Sequence, residues 1–337
     1  MKYRHIVITH PGDSSVLRMV EDERPDPQSG EVRVRILATG VAFTDIMMRE
    51  GVYPGVPKIP YSPGYDIVGI VDGVGAGVSS GLLGHMVVAL TIVGGYSESI
   101  CIPEQDIVLV PFGVDPIDAV SVVLHYTTAY QMLHRIAYVN PGERILIHGA
   151  AGGVGTALLE LGKLAGLELY GTASPSKHGT IAKLGGIPID YHNEDFVARI
   201  RQLTGDGVDI VFDAVGGRNL TRSYKTLRSG GRLVSYGFLS AFAPHRHKNW
   251  TIATTLLRLA MLKLIPDRRK VFFYSIADCK AKHPDWYHED LTTLLHWLAE
   301  GKIKPIIAKR LPLQEAAQAH ELLEQSAVTG KVVLICR

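Results

Sequence analysis

The residues of this 337-residue chain that are best suited to chemistry form a glycine-rich turn, Ala150 to Gly155 (AAGGVG). An apolar run, Ile145-Leu146-Ile147, leads into the turn, and a helical pattern of leucines follows it. A strand, a tight turn and a helix in this order bind a dinucleotide pyrophosphate, because the free N–H groups and the dipole of the helix attract the anion. The residues predicted to bind a dinucleotide here are Ala150, Gly152, Gly153, Val154 and Gly155.

The glycines of the turn are required for different structural reasons. Gly152 lets the backbone approach the phosphates, and Gly155 lets the helix pack closely against the strand. Ala150 stands where the G-x-G-x-x-G motif has its first glycine. The alternative is a glycine-rich turn without a ligand, but the strand and helix patterns on either side favour a cofactor site.

The second predicted strand, Leu167–Ala173, ends without the carboxylate that binds the ribose 2′-hydroxyl in NAD-type sites. A hydroxyl and an ammonium follow instead, on Ser174 and Lys177, and both attract a 2′-phosphate. These residues favour NADPH over NADH. The alternative for Lys177 is a solvated lysine at the start of the next helix.

Composition indicates an ordinary globular protein with more than one domain. Hydrophobic residues make up 46% and charged residues 20%, and the formal net charge of +2 argues against a nucleic-acid partner. The three cysteines have no paired spacing, which favours a cytoplasmic location over a disulfide-forming compartment. The start of the sequence lacks the apolar stretch of a signal peptide. The apolar segment 251–265 contains Arg258 and Lys263 and is too short to span a bilayer, so a packed amphipathic helix is expected.

The pattern of elements changes near residue 118. Before it, β-branched runs separated by Gly, Pro, Asp and Ser predict a β-rich domain. After it, apolar strands alternate with helical patterns, which predicts a parallel sheet with helices on both faces. The five predicted strands are Arg144–His148, Leu167–Ala173, Pro188–Asp190, Val208–Asp213 and Arg232–Tyr236. A nucleotide domain at 119–262, inserted between 1–118 and 263–337 of one β-rich domain, fits this layout best.

Several segments together resemble the medium-chain dehydrogenase/reductase superfamily, in its zinc-free quinone-oxidoreductase (zeta-crystallin-like) branch. The matching segments are GVYP at 51–54, PYSPGYD at 60–66, TTAY at 127–130, the Ala150–Gly155 turn, FDAVG at 212–216 and TGKVVL at 329–334. The resemblance covers nearly the whole chain and is poorest over 240–286. It implies an α/β fold in which a Rossmann domain, with a doubly wound parallel sheet, is inserted in a GroES-like catalytic domain. It also implies a homodimer.

The departures from the zinc-dependent relatives concern the metal ligands. Those relatives have Cys and His where this chain has Ala42 and Phe43, and His and Glu where it has Tyr65 and Asp66. A further cysteine ligand falls on Leu124. A catalytic zinc needs about three protein N, S or O ligands, which Ala, Phe and Leu cannot supply. We therefore expect no metal.

Without a Lewis acid, an alcohol or a simple carbonyl is hard to polarise, whereas a conjugated acceptor takes hydride at a remote carbon while charge spreads to its oxygen. The resemblance therefore implies NADPH-dependent reduction of a quinone or an α,β-unsaturated carbonyl compound. The short, charged segment 251–265 adds the expectation of no integral membrane segment. Two alternatives stay open. One is an enoyl-thioester reductase, for which the basic cluster at 244–248 would bind a carrier phosphate; the other is a non-catalytic NADPH-binding protein.

The resemblance also implies roles for three residues of the N-terminal part. Tyr53 corresponds to a tyrosine near the acceptor in related enoyl reductases, where a phenol is a proton donor or an oxyanion partner. Asp45 lies in a segment that lines the active site of the family, and Thr127 matches a threonine near the nicotinamide. The alternatives are packing for Tyr53 and helix capping for Asp45 and Thr127.

Three further residues belong to the predicted nucleotide domain. Tyr191 resembles the tyrosine that packs by the 2′-phosphate in relatives that use NADPH. Gly237 and Phe238 follow the fifth strand at its carboxyl end, where ligands bind in open α/β sheets. Their backbone is the candidate partner of the nicotinamide carboxamide.

Overall fold

In the computed structural model, which describes residues 1–53, 55, 57–243 and 247–336, the chain forms fifteen strands and eleven α-helices. The strands are β1 (Lys2–Ile8), β2 (Leu17–Glu23), β3 (Glu31–Val41), β4 (Asp66–Val74), β5 (Met86–Leu90), β6 (Ser99–Pro103), β7 (Ile107–Leu109), β8 (Arg144–His148), β9 (Glu168–Ala173), β10 (Ile187–Asp190), β11 (Val208–Asp213), β12 (Leu227–Ser235), β13 (Lys270–Phe273), β14 (Ile307–Pro312) and β15 (Lys331–Ile335).

The helices lie mainly in the second half of the chain. They are α1 (Phe43–Arg49), α2 (Pro116–Ser121), α3 (Thr127–Gln131), α4 (Gly153–Leu164), α5 (His178–Lys183), α6 (Phe196–Thr204), α7 (Asn219–Thr226), α8 (Lys248–Lys263), α9 (Ile276–Lys282), α10 (Pro284–Ala299) and α11 (Ala316–Glu324). Two π-helical segments, Val122–Tyr126 and Met132–Ala137, flank α3.

The chain divides into two units, each with its own sheet. The first unit contains Met1–Thr127 and Asp285–Arg337, and the second contains Thr128–Pro284. The expected domain boundaries lay earlier, after residues 118 and 262. They differ because α2 packs on β3 and β4 of the first unit, while β13 completes the sheet of the second unit.

The second unit is built on a six-stranded parallel sheet. Its strands are arranged β10-β9-β8-β11-β12-β13, the 3-2-1-4-5-6 order of dinucleotide-binding domains. Every residue of β11 is buried, as expected for a strand covered on both faces. The predicted doubly wound sheet is confirmed, with six strands where five were predicted. The missed strand, β13, has only four residues and lies in the segment where the family resemblance is poorest.

The first unit contains a mixed seven-stranded sheet and a separate two-stranded one. β14 and β15 pair in parallel, and the other pairs, β15-β3-β4-β5-β7 and β3-β6, are antiparallel. Apolar side chains of β3, β4, β5 and β15 form the core together with α11. Because β15 comes from the end of the chain and pairs with β3 near its start, the second unit is an insertion, as predicted.

Helix α8 is apolar on two faces. Ile252, Leu259 and Leu262 are buried, and Leu259 and Leu262 belong to the core of the second unit. On the opposite face Trp250 and Leu257 are exposed. No helix among the described residues is long and apolar enough to cross a membrane. Of the basic cluster at 244–248, Pro244, His245 and Arg246 lie outside the described residues.

Candidate active site

The glycine-rich turn connects the end of β8 to the start of α4 in the second unit. Gly149 has a φ of +69°, and a Cβ on Gly155 would lie 2.3 Å from the Gly149 carbonyl oxygen, so only glycine fits at position 155. Gly152 is exposed and is the N-cap of α4, with no side-chain hydrogen bond. The first N–H groups of a helix have no partner within it. The half-buried Gly153 and Val154 therefore offer backbone donors to an anion.

Ala150 replaces a motif glycine because its environment has room for one methyl group. Its side chain is fully buried against β9, where a Cβ on Gly171 would come within 2.7 Å of the Ala150 Cβ. The Ala150 N–H donates to the Thr172 carbonyl at 3.1 Å. The missing side chain at Gly171 thus compensates for the extra carbon at Ala150.

The structure brings the predicted 2′-phosphate residues to one edge of the sheet. β9 and β10 are parallel, with Ala173 paired to Asp190, so Ser174 and Tyr191 begin neighbouring loops. Lys177 follows within a short turn, where its N–H donates to the Ser174 carbonyl at 3.0 Å. Its side chain is half-buried, and burial lowers the pKa of its ammonium. Tyr191 packs at a tilt on His192, with ring centroids 4.2 Å apart, and is still 51% exposed, which leaves ring surface for a ligand.

One acidic residue at this edge, Asp190, was not considered in the sequence prediction. Its carboxylate accepts from the His192 N–H at 2.9 Å and from the Asn193 side-chain amide at 2.7 Å. These hydrogen bonds lower the pKa of Asp190 and keep the carboxylate within its own loop. The negative charge is thus compensated locally rather than directed at a ribose.

Gly237 and Phe238 follow β12 at its carboxyl end. A Cβ on Gly237 would lie 2.6 Å from the Ala214 carbonyl oxygen, so the loops after β11 and β12 meet at a glycine. The Leu239 N–H donates to the same carbonyl at 3.1 Å. Phe238 is buried and packs at a tilt on Phe273, with ring centroids 5.6 Å apart.

A series of buried, hydrogen-bonded polar side chains stabilises the carboxyl end of the sheet in the second unit. The sequence analysis did not predict it. The Ser223 hydroxyl donates to Asp213 Oδ2 at 2.7 Å, and His148 Nε2 lies 3.1 Å from the Ser223 oxygen. Thr172 Oγ1 is 3.0 Å from His148 Nδ1. Burial lowers the pKa of His148, which is consistent with a neutral ring. Asp213 Oδ1 also accepts from the Val215 and Gly216 N–H groups, so this series holds the loop after β11.

In the first unit, Asp45 caps helix α1. Its Oδ2 accepts from the Ala42 N–H at 2.8 Å and its Oδ1 accepts from the Gly64 N–H at 3.2 Å. The residue is fully buried, and burial raises the pKa of its carboxyl to about 7. Both carboxylate oxygens are already occupied by backbone donors of the protein. These contacts favour helix capping, which was the alternative for Asp45, over the expected catalytic role.

A hydrogen-bonded chain extends from Asp45 to α11. The Tyr96 hydroxyl donates to Asp45 at 3.3 Å and lies 3.0 Å from His320 Nε2. Arg49 lies 3.3 Å from His320 Nδ1. A guanidinium only donates, so Nδ1 accepts and Nε2–H donates to Tyr96. Arg49 also forms an ion pair with Glu324. The chain joins the two ends of α1 to α11.

Tyr53 and Tyr65 form a hydroxyl pair in the first unit. Their oxygens are 3.0 Å apart. Tyr65 is 1% exposed, whereas Tyr53 is half-buried and lies in the loop after α1. Pro54 and Val56 of that loop, which include the last residue of the matching segment 51–54, lie outside the described residues. Tyr53 is thus a partly accessible phenol held by a buried one, a contact that the sequence prediction did not include.

The positions of the zinc ligands do not fit a zinc ion. Ala42 and Leu124 carry no ligand atom, and the Asp66 carboxylate accepts from the buried ammonium of Lys331 at 2.7 Å. Among the described residues no group of three His, Cys, Asp or Glu side chains is placed to hold a metal. His125 is buried within the π-helical segment Val122–Tyr126, and burial lowers its pKa well below the usual value.

Thr127 is buried with an unsatisfied hydroxyl. Its backbone is helical, with a φ of −61°, and its Oγ1 has no hydrogen-bond partner among the described residues. A capping threonine would bond to a nearby N–H, so this geometry does not support the capping alternative. A buried hydroxyl without a partner is a suitable contact for a polar group of a ligand.

Comparison with known proteins shows which families these features match. Residues 28–112 match the family described as alcohol dehydrogenase GroES-like domain, and residues 186–334 match the family described as zinc-binding dehydrogenase. The zinc of the latter description does not fit the residues at positions 42, 65 and 124 of this chain.

Relatives match along nearly the whole chain. The synaptic vesicle membrane protein VAT-1 homolog of Danio rerio is 32% identical over 98% of this chain and 70% of its own length. The quinone oxidoreductase of Rattus norvegicus is 29% identical over 98% of this chain and 97% of its own. The crystal structure of Escherichia coli quinone oxidoreductase complexed with NADPH is 30% identical, with a TM-score of 0.88 over 98% of this chain and 99% of that one.

Proposed function

Because this chain belongs to the medium-chain dehydrogenase/reductase superfamily, in its quinone-oxidoreductase branch, we propose that it reduces a quinone or an α,β-unsaturated carbonyl compound with NADPH and without zinc. The observation that carries the proposal is the Tyr53–Tyr65 pair. It provides a partly accessible phenol in a site whose residues do not fit a metal. A phenol supplies a proton to an oxygen that gains negative charge.

The second unit offers the donors for the cofactor phosphates. The free N–H groups of α4 at Gly153, Val154 and Gly155 bind the pyrophosphate in this proposal. The hydroxyl of Ser174 and the ammonium of Lys177 bind the 2′-phosphate, and the exposed ring of Tyr191 packs beside the same group. The loop at 237–238 supplies backbone groups to the carboxamide. In the first unit, the unsatisfied hydroxyl of Thr127 is proposed as a further polar contact.

The reaction needs one hydride and one proton. When bound, NADPH supplies the hydride, with both electrons, from C4 of its nicotinamide ring. A conjugated acceptor receives it at the β-carbon, and its oxygen gains negative charge. The Tyr53 hydroxyl donates its proton to that oxygen, so Tyr53 does by hydrogen bonding what a metal does by Lewis acidity in zinc enzymes.

The proposal is tested by offering the purified protein NADPH with a quinone, an enone, the corresponding saturated ketone and an enoyl-thioester, while NADPH absorbance is followed. We expect oxidation with the quinone or the enone and none with the saturated ketone. Much faster turnover of the thioester would instead identify an enoyl-thioester reductase. Tight NADPH binding without turnover of any acceptor would identify a non-catalytic NADPH-binding protein.

The homodimer and the cytoplasmic location stay predictions. Among the described residues no strand pairs with the outer side of β13, and an open sheet edge of this kind can be covered by a second copy. Light scattering on the purified protein would show twice the chain mass if the dimer forms.

A further inference from the structure

Hydrogen bonds on either side of Tyr65 hold its backbone in place. Its carbonyl accepts from the Thr91 N–H at 2.9 Å and from the Ile92 N–H at 3.1 Å. The preceding residue, Gly64, donates its N–H to the buried carboxyl of Asp45 at 3.2 Å. The backbone is therefore held by hydrogen bonds on both sides of the Tyr65 Cα.

The conformation of Gly64 adds to this constraint. Its φ is +111°, and a Cβ there would lie 2.4 Å from the Tyr96 nitrogen, so only glycine permits the close approach of the two segments. Tyr96 is itself fully buried and donates to Asp45. The chain that caps α1 thus also positions the backbone on which Tyr65 is carried.

Tyr53 has a different environment. It follows Gly51, which has a φ of +70°, in the loop that leaves α1, and its ring is only half-buried. Its hydroxyl is 3.0 Å from the Tyr65 hydroxyl, a normal distance for a neutral hydrogen bond. The more exposed phenol of the pair is therefore held by the buried one.

We propose that Tyr65 is the positioning residue for Tyr53, donating its O–H to the Tyr53 oxygen so that the Tyr53 proton points to the acceptor. This inference rests on the proposed function. Each hydroxyl has one hydrogen. If Tyr53 gives its hydrogen to the acceptor, the hydrogen between the two phenols belongs to Tyr65. Since Tyr65 has almost no exposed surface, it acts only through Tyr53.

The proposed reaction conserves protons and electrons. The acceptor gains a hydride at its β-carbon, its carbon–carbon π pair forms a new double bond from the α-carbon to the carbonyl carbon, and the carbonyl π pair moves to the oxygen. That oxygen takes the proton of Tyr53, and the resulting enol exchanges its O–H for a C–H at the α-carbon with solvent water. The negative charge then rests on the Tyr53 oxygen, which still accepts the hydrogen bond from Tyr65. Hydrogen bonds to charged groups are stronger than neutral ones. The Tyr65 bond is thus stronger after the transfer than before it, which favours the transition state. Water returns a proton to Tyr53.

The experiment compares Tyr65→Phe, Tyr53→Phe and the double variant with the wild type, using NADPH and an enone. We expect Tyr65→Phe to lower kcat about 10-fold to 100-fold, the value of one hydrogen bond to a charged group, with little change in KM. Because Tyr65 acts through Tyr53, the double variant should be no slower than Tyr53→Phe alone. Tyr61→Phe is the control for the loss of one hydroxyl, since Tyr61 is half-buried like Tyr53 and its hydroxyl donates to the Met48 carbonyl at 3.0 Å. It should keep the wild-type kcat.

A second measurement needs no turnover. 4-Nitrophenolate carries its charge on an oxygen as an enolate does, and calorimetry measures its binding to the protein with NADP⁺. Tyr65→Phe should weaken this binding about 10-fold in the wild-type background and not at all in the Tyr53→Phe background. Independent, multiplying losses in the double variant, by either measurement, would overturn the proposal, because a packing defect at Tyr65 acts whether or not Tyr53 has a hydroxyl.

The two proposals fail in distinguishable ways. If no acceptor is reduced but nitrophenolate binding depends on Tyr65 only when Tyr53 is present, the proposed function is wrong and the positioning role is upheld. If acceptors are reduced and Tyr65→Phe leaves both kcat and nitrophenolate binding unchanged, the positioning role is wrong. The positioning role is also wrong if the wild type does not bind nitrophenolate and Tyr65→Phe has an unchanged kcat. The same holds if the wild type does not bind nitrophenolate and reduces no acceptor.

Discussion

The ammonium of Lys331 lies 2.7 Å from Asp66 Oδ2, and both side chains are buried. The pair joins β15, from the end of the chain, to β4, and Asp66 Oδ1 also accepts from the Gly40 N–H of β3 at 3.0 Å. Asp66 stands at the position where zinc-dependent relatives have a glutamate next to the histidine. A carboxylate already bound to an ammonium is a poor metal ligand, so the pair is part of the reason why the site does not fit zinc.

From this arrangement we predict that the purified protein contains no stoichiometric zinc and that its activity survives chelator treatment. The positions of the metal ligands offer Ala42, Tyr65 and Leu124, of which only tyrosine has a donor atom, and that atom is bonded to Tyr53. Elemental analysis checks the metal content. One zinc per chain that is lost together with activity would contradict the prediction.

A second prediction concerns the buried pair itself. Lys331→Met leaves the Asp66 carboxylate buried without its counter-charge and should lower the free energy of unfolding by about 3–5 kcal/mol. The double variant Asp66→Asn/Lys331→Met removes both charges and should recover part of that loss. Urea unfolding curves measure both. Equal losses in the single and double variants would show that the charges are not coupled.

How far the sequence predicts the structure depends on how local the determinants are. The bounds of β8 and β11 agree with their predicted spans, because each contains a short apolar run bounded by Gly or Asp. The cofactor turn is equally local, since strand, glycines and helix lie within about twenty residues. By contrast β13, a four-residue strand, has no pattern distinct from a loop.

The contacts of the site are less predictable because they join distant segments. His320 meets Arg49 across 271 residues, and His148 meets Ser223 across 75. Spacing does not predict such pairs, since they depend on strand order and on which helix packs where. The role of Asp45 shows the same limit. Its carboxylate has partners at Gly64 and Tyr96, and only these contacts separate capping from catalysis.

For the cofactor, Lys177→Ala should weaken NADPH binding about 10-fold or more and leave NADH binding nearly unchanged, because only NADPH carries the 2′-phosphate. Lys183→Ala, which removes an exposed lysine of the neighbouring helix α5, controls for the loss of one positive charge. Fluorescence titration with both dinucleotides gives the Kd values. Equal losses for NADPH and NADH would remove Lys177 from the 2′-phosphate site.

For the proton, Tyr53→Phe should lower kcat about 100-fold or more, the usual contribution of a general acid, with little change in NADPH affinity. The substitution removes one oxygen and keeps the ring, so packing is preserved. Steady-state kinetics with an enone and a separate NADPH titration provide the two values. Unchanged turnover would leave Tyr53 a packing residue, the alternative open from the sequence.

For the buried histidine, stability should depend on pH in a direction set by its environment. Burial, with Arg49 beside it, lowers the pKa of His320 to about 3 from an ordinary value of 6.5. The unfolded chain therefore binds more protons than the native one between these values. The stability from neutral His320 is present above pH 6.5 and is lost as the pH falls toward 3.

His320→Gln keeps an amide that can bond to Arg49 and Tyr96 but does not titrate, so its unfolding free energy should fall less than that of the wild type between pH 6.5 and 4. Asp45, whose raised pKa gives a slope of the opposite sign between about pH 4 and 7, is present in both proteins and cancels in the difference. Urea midpoints at several pH values measure it. Parallel curves would contradict the prediction.

The most direct test of the account follows the hydride. Chelator-treated protein is given NADPH deuterated at C4, on either face, together with an enone, and the product is analysed by NMR. We predict deuterium at the β-carbon from one face only, and a proton from solvent at the α-carbon. Deuterium at the carbonyl carbon, or reduction that requires added zinc, would contradict zinc-free reduction of a conjugated acceptor.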